Sequence, residues 1–178
     1  NRTPEDAAQI VERICGVCPV SHAHASSIAG DKAYGITISN NARIVRNLLE
    51  GAQFLHSHIL WLYNLAALDY VNPLNALQAN VDDAYAVALE NGLALHSDLN
   101  QLYEKLAAFA DNGQLSIFSG NWFDADGGEA YVDNPEANLI LTSHYLEALK
   151  MQARSSEMAA LLGGRNIVPP GRSSRGPF

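Results

Sequence analysis

Residues 12–26 read E-R-I-C-G-V-C-P-V-S-H-A-H-A-S and hold both cysteines of the chain and two of its six histidines. A tight turn across Gly16 and Val17 can direct the sulfur atoms of Cys15 and Cys18 into one small volume. The glycine makes that bend easier. A single C-x-x-C cannot join distant parts of a fold, so the pair indicates either metal-binding thiolates or a redox dithiol.

The composition predicts a globular chain with a core, since 48% of the 178 residues are hydrophobic and 17% are charged. We expect one domain over residues 1–166 and a disordered or off-pattern tail over 167–178, which is rich in Pro, Gly, Ser and Arg. The net charge of −8 argues against nucleic acid or an anionic membrane as partner. The polar N-terminus lacks a signal-peptide pattern, and no apolar run is long enough to span a bilayer, so another chain would have to carry any membrane anchor.

Hydrophobic periodicity predicts a mainly α fold, a helical bundle. The predicted helices are a short one ending at Arg13 and longer ones over residues 21–34, 42–68, 82–110 and 135–162. Asn40 or Asn41 is the expected N-cap of the third helix, and Gly92 can divide the fourth. Apolar residues of 42–68 cover more than one face, which predicts burial on most sides.

The composition changes over residues 111–135 to Gly, Asn, Asp and aromatic residues. Within this region, L-S-I-F-S-G-N-W-F has the alternation that is typical of a strand. We therefore expect a loop region that contains a short β-hairpin.

Two chemical alternatives for the cysteine pair are a thioredoxin-like dithiol and half of a zinc site. The first normally occurs in an alternating βαβ pattern, which this chain lacks, and the second needs two further ligands. His22 follows Cys18 by four residues and is close enough to bind a metal or to hydrogen-bond a thiolate. His24 faces elsewhere on a helix, and the same spacing separates His56 from His58.

Residues 12–26 as a whole resemble the N-terminal signature of the large subunit of nickel-iron hydrogenases. The similarity continues through N-A-R-I-V-R-N-L-L-E-G-A-Q-F-L-H-S-H, Y-N-L-A-A-L-D-Y-V, G-Q-L-S-I-F-S-G-N-W and H-Y-L-E-A-L-K-M. It covers the chain from its opening residues to about Asn166. A chance C-x-x-C would not bring these neighbouring motifs with it.

The resemblance implies a nickel-iron centre with carbonyl and cyanide ligands on iron, and reversible oxidation of dihydrogen to protons and electrons. It assigns Cys15 as a terminal thiolate on nickel, Cys18 as a thiolate that bridges nickel and iron, and His22 as a hydrogen-bond donor to the bridging sulfur. Soft sulfur donors suit a redox-active metal of this kind. The implied partner is an iron-sulfur small subunit, and the full-length subunit of this family also carries a magnesium site.

The resemblance is to the membrane-associated uptake type, which implies a location at the cell envelope, on the periplasmic side, through partner subunits. Glu12 and Arg13 are candidates for the outer shell of the centre or for the subunit interface, although a local salt bridge explains them equally well. Ser57 stands in H-S-H where the family often has aspartate in H-D-H. No residue beyond the metal ligands is assigned a catalytic role.

The family also needs a second cysteine pair near its C-terminus, whereas this chain has two cysteines in total. We therefore expect an internal fragment that holds half of an active site and is inactive alone. The alternatives are a helical zinc or dithiol-redox module, and a non-hydrogenase quinone-reductase relative. The latter class lacks the metal-binding cysteines, so Cys15 and Cys18 argue against it.

Overall fold

A computed structural model of the protein describes residues 2–118 and 131–163. Over these ranges the chain forms short 3-10 turns, no strand and six α-helices: α1 (Ala7–Val11), α2 (Pro19–Tyr34), α3 (Asn40–Ile59), α4 (Val81–Glu90), α5 (Leu99–Asp111) and α6 (Pro135–Gly163). The predicted mainly α fold is confirmed. The chain groups into two compact units, one with residues up to Ile59 and from Met151 onward, the other with Leu60–Lys150. The single domain expected over residues 1–166 stays a prediction.

In the first unit, α2 starts directly after the cysteine turn. Pro19 occupies its first position, where a missing N–H costs nothing and the fixed φ suits a helix. At its other end Gly35 has φ +64°, and the N–H groups of Gly35 and Ile36 return to the carbonyls of Lys32 and Asp31. This left-handed glycine ends the helix, as the sequence predicted.

A small core in the first unit joins Val20 of α2, Leu49 and Ala52 of α3, and Ala159 of α6. The Ser39 side chain accepts a hydrogen bond from the Ala42 N–H at 3.2 Å, so Ser39 rather than Asn40 or Asn41 caps the N-terminus of α3.

The prediction that residues 42–68 are buried on most sides is wrong for the described part of the chain. Phe54 is 60% exposed, and Ile44, Leu48 and Leu55 are also exposed. The predicted continuous helix over 42–68 also changes form: α-helical hydrogen bonding ends at Ile59, Leu60–Leu65 forms a wider π-helical segment and Ala66–Asp69 a 3-10 turn. An apolar run predicts a helix without distinguishing these hydrogen-bonding patterns.

In the second unit, α4, α5 and the first part of α6 enclose an apolar core. Its buried members are Ala76, Ala79, Ala84, Ala88, Leu99, Leu102, Leu106, Leu115, Leu139 and Ile140. Asn80 and Asp98 cap α4 and α5 through their side-chain oxygens. Gly92, with φ +64°, follows α4 and divides the predicted long helix as expected.

The hairpin predicted within residues 111–135 is wrong over its first residues, because Gln114–Phe118 forms a 3-10 helix. Leu115 packs into the core of the second unit there. The rest of the predicted hairpin, in residues 119–130, and the predicted tail lie outside the described residues. Among the helices that are described, none combines the length and apolar character needed to cross a bilayer.

Candidate metal centre

The structure brings together three of the side chains that the sequence singled out. The sulfur atoms of Cys15 and Cys18 and a ring nitrogen of His22 all lie within 4.8 Å of one another. All three residues are partly exposed. At this spacing all three atoms could bind one metal ion. Alternatively, the two sulfurs could bind the ion while the histidine hydrogen-bonds to one of them.

Local structure explains this convergence. After α1 the chain makes a turn, and Cys15 Sγ accepts hydrogen bonds from the N–H groups of Val17 at 3.4 Å and Cys18 at 3.3 Å. Cys18 then occupies the N-cap position of α2. His22 lies one helical turn further on, and its N–H bonds the Cys18 carbonyl at 3.4 Å. The positive end of the α2 dipole therefore faces the sulfur pair, which favours thiolates.

The two thiols differ in acidity. The Cys18 side chain donates a hydrogen bond to Cys15, and the N–H groups of Cys18 and Val17 add to it, so the pKa of Cys15 is lowered. The hydrogen bond to Cys15, together with burial, raises the pKa of Cys18 to about 11. Cys15 is therefore the more acidic of the two thiols, and Cys18 holds its proton more tightly. A metal cation would displace that proton, because thiolates are the ligand form.

Glu50 on α3 organises the outer side of α2, a role that the sequence did not reveal. One carboxylate oxygen accepts a hydrogen bond from the Ser21 hydroxyl at 2.5 Å, and the other lies 3.2 Å from His24 Nδ1. His24 therefore contacts Glu50 and is not among the donors that converge with the two sulfurs, as its spacing from His22 predicted. The Glu50 charge also contributes to the raised pKa of Cys18.

Glu12 and Arg13 form a local ion pair. The Glu12 side chain is buried, whereas that of Arg13 is 54% exposed. Arg13 also donates to the Gln9 carbonyl at 3.0 Å. This pairing supports the interpretation of the two residues as a local salt bridge. A role in the outer shell of the metal centre or at a subunit interface stays a prediction.

Gln53 links the cysteine turn to α3, and sequence analysis did not single it out. Its side-chain nitrogen donates to the Val17 carbonyl at 2.8 Å and to the Ser57 hydroxyl oxygen at 2.9 Å. Ser57, predicted as a candidate of the outer shell, is therefore joined to the turn through Gln53. A polar residue among apolar neighbours on α3 was the only signal that could have indicated it.

The two histidines of H-S-H have different surroundings, as predicted. His56 lines a cavity of about 40 Å³ with Gly16, Val17 and other residues of the first unit. Its Nδ1 is buried and has no hydrogen-bond partner in the described part of the chain, and burial lowers the pKa of the ring. His58 instead lies 2.8 Å from the Phe54 carbonyl oxygen through its Nδ1.

The second unit contains an apolar cavity of about 140 Å³. Tyr63, Leu102, Phe109 and Tyr145 are among its lining residues. Near it, the Tyr63 ring meets His144 edge to face, with ring centroids 6.3 Å apart, and His144 Nε2 lies 3.2 Å from the Ala94 carbonyl oxygen. These contacts indicate a structural role for His144.

The fold and the site define a helical protein with a turn whose two cysteines and one histidine could hold a metal ion. Two thiolates and an imidazole suit nickel, iron, zinc or copper(I) on ligand chemistry alone. Comparison with known proteins distinguishes among these metals.

A model of the nickel-dependent hydrogenase family matches residues 1–171, so the chain belongs to that family. It is 38% identical over 172 residues to the uptake hydrogenase large subunit of Rhodobacter capsulatus, a match that covers 94% of this chain. It is 39% identical over 170 residues to the hydrogenase-2 large chain of Escherichia coli strain K12, covering 93% of this chain. The predicted resemblance is confirmed.

Solved structures lead to the same family. The Ni-Fe-Se hydrogenase from D. vulgaris Hildenborough matches 93% of this chain with a TM-score of 0.61 and 33% sequence identity. The chain spans 28% of the Rhodobacter protein, 29% of the Escherichia protein and 25% of the D. vulgaris chain. These relatives do not favour the alternative of a zinc or dithiol module.

Proposed function

We propose that this chain supplies the N-terminal half of the ligand set of a nickel-iron centre in a hydrogenase large subunit. The whole subunit oxidises dihydrogen reversibly and passes the electrons to an iron-sulfur small subunit. The observation that carries the proposal is the convergence of Cys15, Cys18 and His22 in a chain of the nickel-dependent hydrogenase family.

The donors present fit such a centre. Soft thiolates bind redox-active nickel and iron well, and the N–H groups around Cys15 already stabilise the thiolate form. Cys15 would be the terminal ligand of nickel and Cys18 the ligand shared with iron. When bound, the centre supplies the site at which dihydrogen is split. Carbonyl and cyanide on iron, and magnesium in the full-length subunit, are part of this proposal.

The chain's own residues hold and tune these sulfurs. The turn fixes the direction of both side chains, and the start of α2 directs a positive dipole at them. His22 would donate a hydrogen bond to the Cys18 sulfur, which would withdraw electron density without occupying a metal position. We place the assembled enzyme at the periplasmic side of a membrane, held there by partner subunits.

Hydrogen-dependent dye reduction by the full-length subunit, purified with its partner, tests the proposal. Cys15→Ala and Cys18→Ala should abolish turnover, and His22→Gln should lower it by about 10- to 100-fold, the usual effect of losing a group that supports a metal ligand. His96→Gln, at an exposed histidine, is the control. Full turnover in both cysteine variants would refute the assignment.

A further inference from the structure

The peptide group between Val17 and Cys18 is hydrogen-bonded on both sides. Its carbonyl oxygen accepts from Gln53 Nε2 at 2.8 Å, and its N–H donates to Cys15 Sγ at 3.3 Å. A continuous chain of hydrogen bonds therefore runs from a side chain on α3, through one peptide group, to a proposed metal-binding sulfur.

Gln53 is held firmly in this role. The residue is only 6% exposed, and its side chain reaches from α3 to the cysteine turn. The Val17 carbonyl oxygen is solely an acceptor, so the amide nitrogen of Gln53, not its oxygen, must face it. The second amide hydrogen is used by Ser57 Oγ at 2.9 Å. Both donors are satisfied, which fixes the orientation of the amide.

We propose that Gln53 is a positioning residue for the metal centre, acting through the Val17–Cys18 peptide group on the Cys15 sulfur. The inference rests on the proposed function. Gln53 does this in two ways: it fixes the turn that separates the cysteines, and it polarises the peptide group so that the Cys18 N–H is a stronger donor to sulfur.

The second effect is electronic. Hydrogen bonds to thiolate sulfur reduce the electron density that a thiolate gives to its metal, and they are a known means of tuning metal-sulfur sites. Loss of the Gln53 hydrogen bond should therefore increase the electron density on Cys15 and change the electronic structure of nickel. A residue that only filled space would leave that electronic structure unchanged.

Gln53→Met tests this in the full-length subunit purified with its partner, because methionine keeps the length of the side chain and removes the donor. Asn47→Met, at an exposed position of the same helix, is the matched control. The readouts are nickel content and the g-values of the nickel electron paramagnetic resonance spectrum. Gln53→Glu, of nearly the same shape but without the amide donors, replaces the methionine variant if that variant does not assemble.

The expected result is a shift of the nickel g-values, or a loss of bound nickel, in the Gln53 variant and a wild-type spectrum in Asn47→Met. A wild-type spectrum with full nickel content in the Gln53 variant would overturn the inference, as would an equal shift in Asn47→Met. A wild-type complex without nickel would instead refute the proposed function. The two failures are therefore distinguishable.

Discussion

Gln53 on α3 donates a hydrogen bond of 2.8 Å to the carbonyl oxygen of Val17, a residue 36 positions earlier that lies between the two cysteines. The conformation of the cysteine turn therefore depends on α3, which carries none of the three converging donors Cys15, Cys18 and His22. Because α3 itself is tied to α2 by Arg46 and Asp31, the placement of the sulfur pair is a property of the first unit and not of the C-x-x-C alone.

Arg46→Met should destabilise the first unit by about 3 kcal/mol, the usual order for breaking a largely buried ion pair. The Arg46 side chain is 7% exposed and both of its terminal nitrogens contact the Asp31 carboxylate. Urea denaturation followed by circular dichroism measures the loss. Arg43→Met, one turn away and exposed, should change stability by no more than about 0.5 kcal/mol. Equal effects of the two substitutions would contradict the role of the pair.

Asn138→Leu should destabilise the second unit by about 2–4 kcal/mol, because it leaves buried backbone N–H and carbonyl groups without their hydrogen-bond partner. The fully buried Asn138 accepts from the Asn72 N–H at 2.9 Å and donates to the Val132 and Asn134 carbonyls at 2.8 and 3.1 Å. Thermal or urea unfolding would show the loss. Asn100→Leu, at an exposed position of α5, serves as control, and a loss in Asn138→Leu no larger than in this control would count against the network.

The stability of the first unit should fall as the pH drops below about 6.5, partly because of His56. Burial lowers the pKa of His56, so the unfolded chain takes up the proton first as pH falls. The stabilisation that neutral His56 contributes is fully present above the pKa of histidine in the unfolded chain. It is lost as the pH falls from that value toward the lower pKa of His56 in the folded chain. His56→Asn should show a smaller difference between urea midpoints near pH 7.5 and pH 5.5. A difference as large as that of wild type, or of a His96→Asn control, would contradict this.

The two thiols of the metal-free protein should react in a fixed order. The lowered pKa of Cys15 and the raised pKa of Cys18, about 11, predict that a limiting amount of iodoacetamide near neutral pH alkylates Cys15 first. Tandem mass spectrometry of the alkylated peptide identifies the site. In Cys15→Ala, the hydrogen bond that raises the Cys18 pKa is gone, so Cys18 should react faster than in wild type. Preferential alkylation of Cys18 in wild type would contradict the assignment.

Much of this site follows from local sequence. The C-x-x-C spacing, Pro19 at the start of α2 and the four-residue step from Cys18 to His22 each act within one turn of chain. Short-range geometry therefore predicts that His22 faces the sulfurs and that His24 does not. Helix ends at Gly35 and Gly92 are predictable for the same reason, because they depend on backbone conformation at one residue.

The contacts that support the site could not be predicted in this way. Gln53, Glu50 and His56 reach the turn or α2 through tertiary packing. Only Gln53, a polar residue among apolar neighbours, gives any sign of this in the sequence. The exposure of the apolar face of α3 could not be predicted either, because a hydrophobic pattern shows that a side chain is apolar but not what covers it. The 3-10 helix over Gln114–Phe118 takes the place of the first residues of the predicted hairpin, and Leu115 there packs into a helical core.

Nickel content, measured by mass spectrometry of the full-length subunit purified with its partner, tests the central claim most directly. The claim is that Cys15 and Cys18 are metal ligands. We predict stoichiometric nickel in wild type and in the exposed-site control His96→Gln, and loss of nickel in both Cys15→Ala and Cys18→Ala, because each removes a thiolate ligand. Unchanged nickel in both cysteine variants would contradict the account.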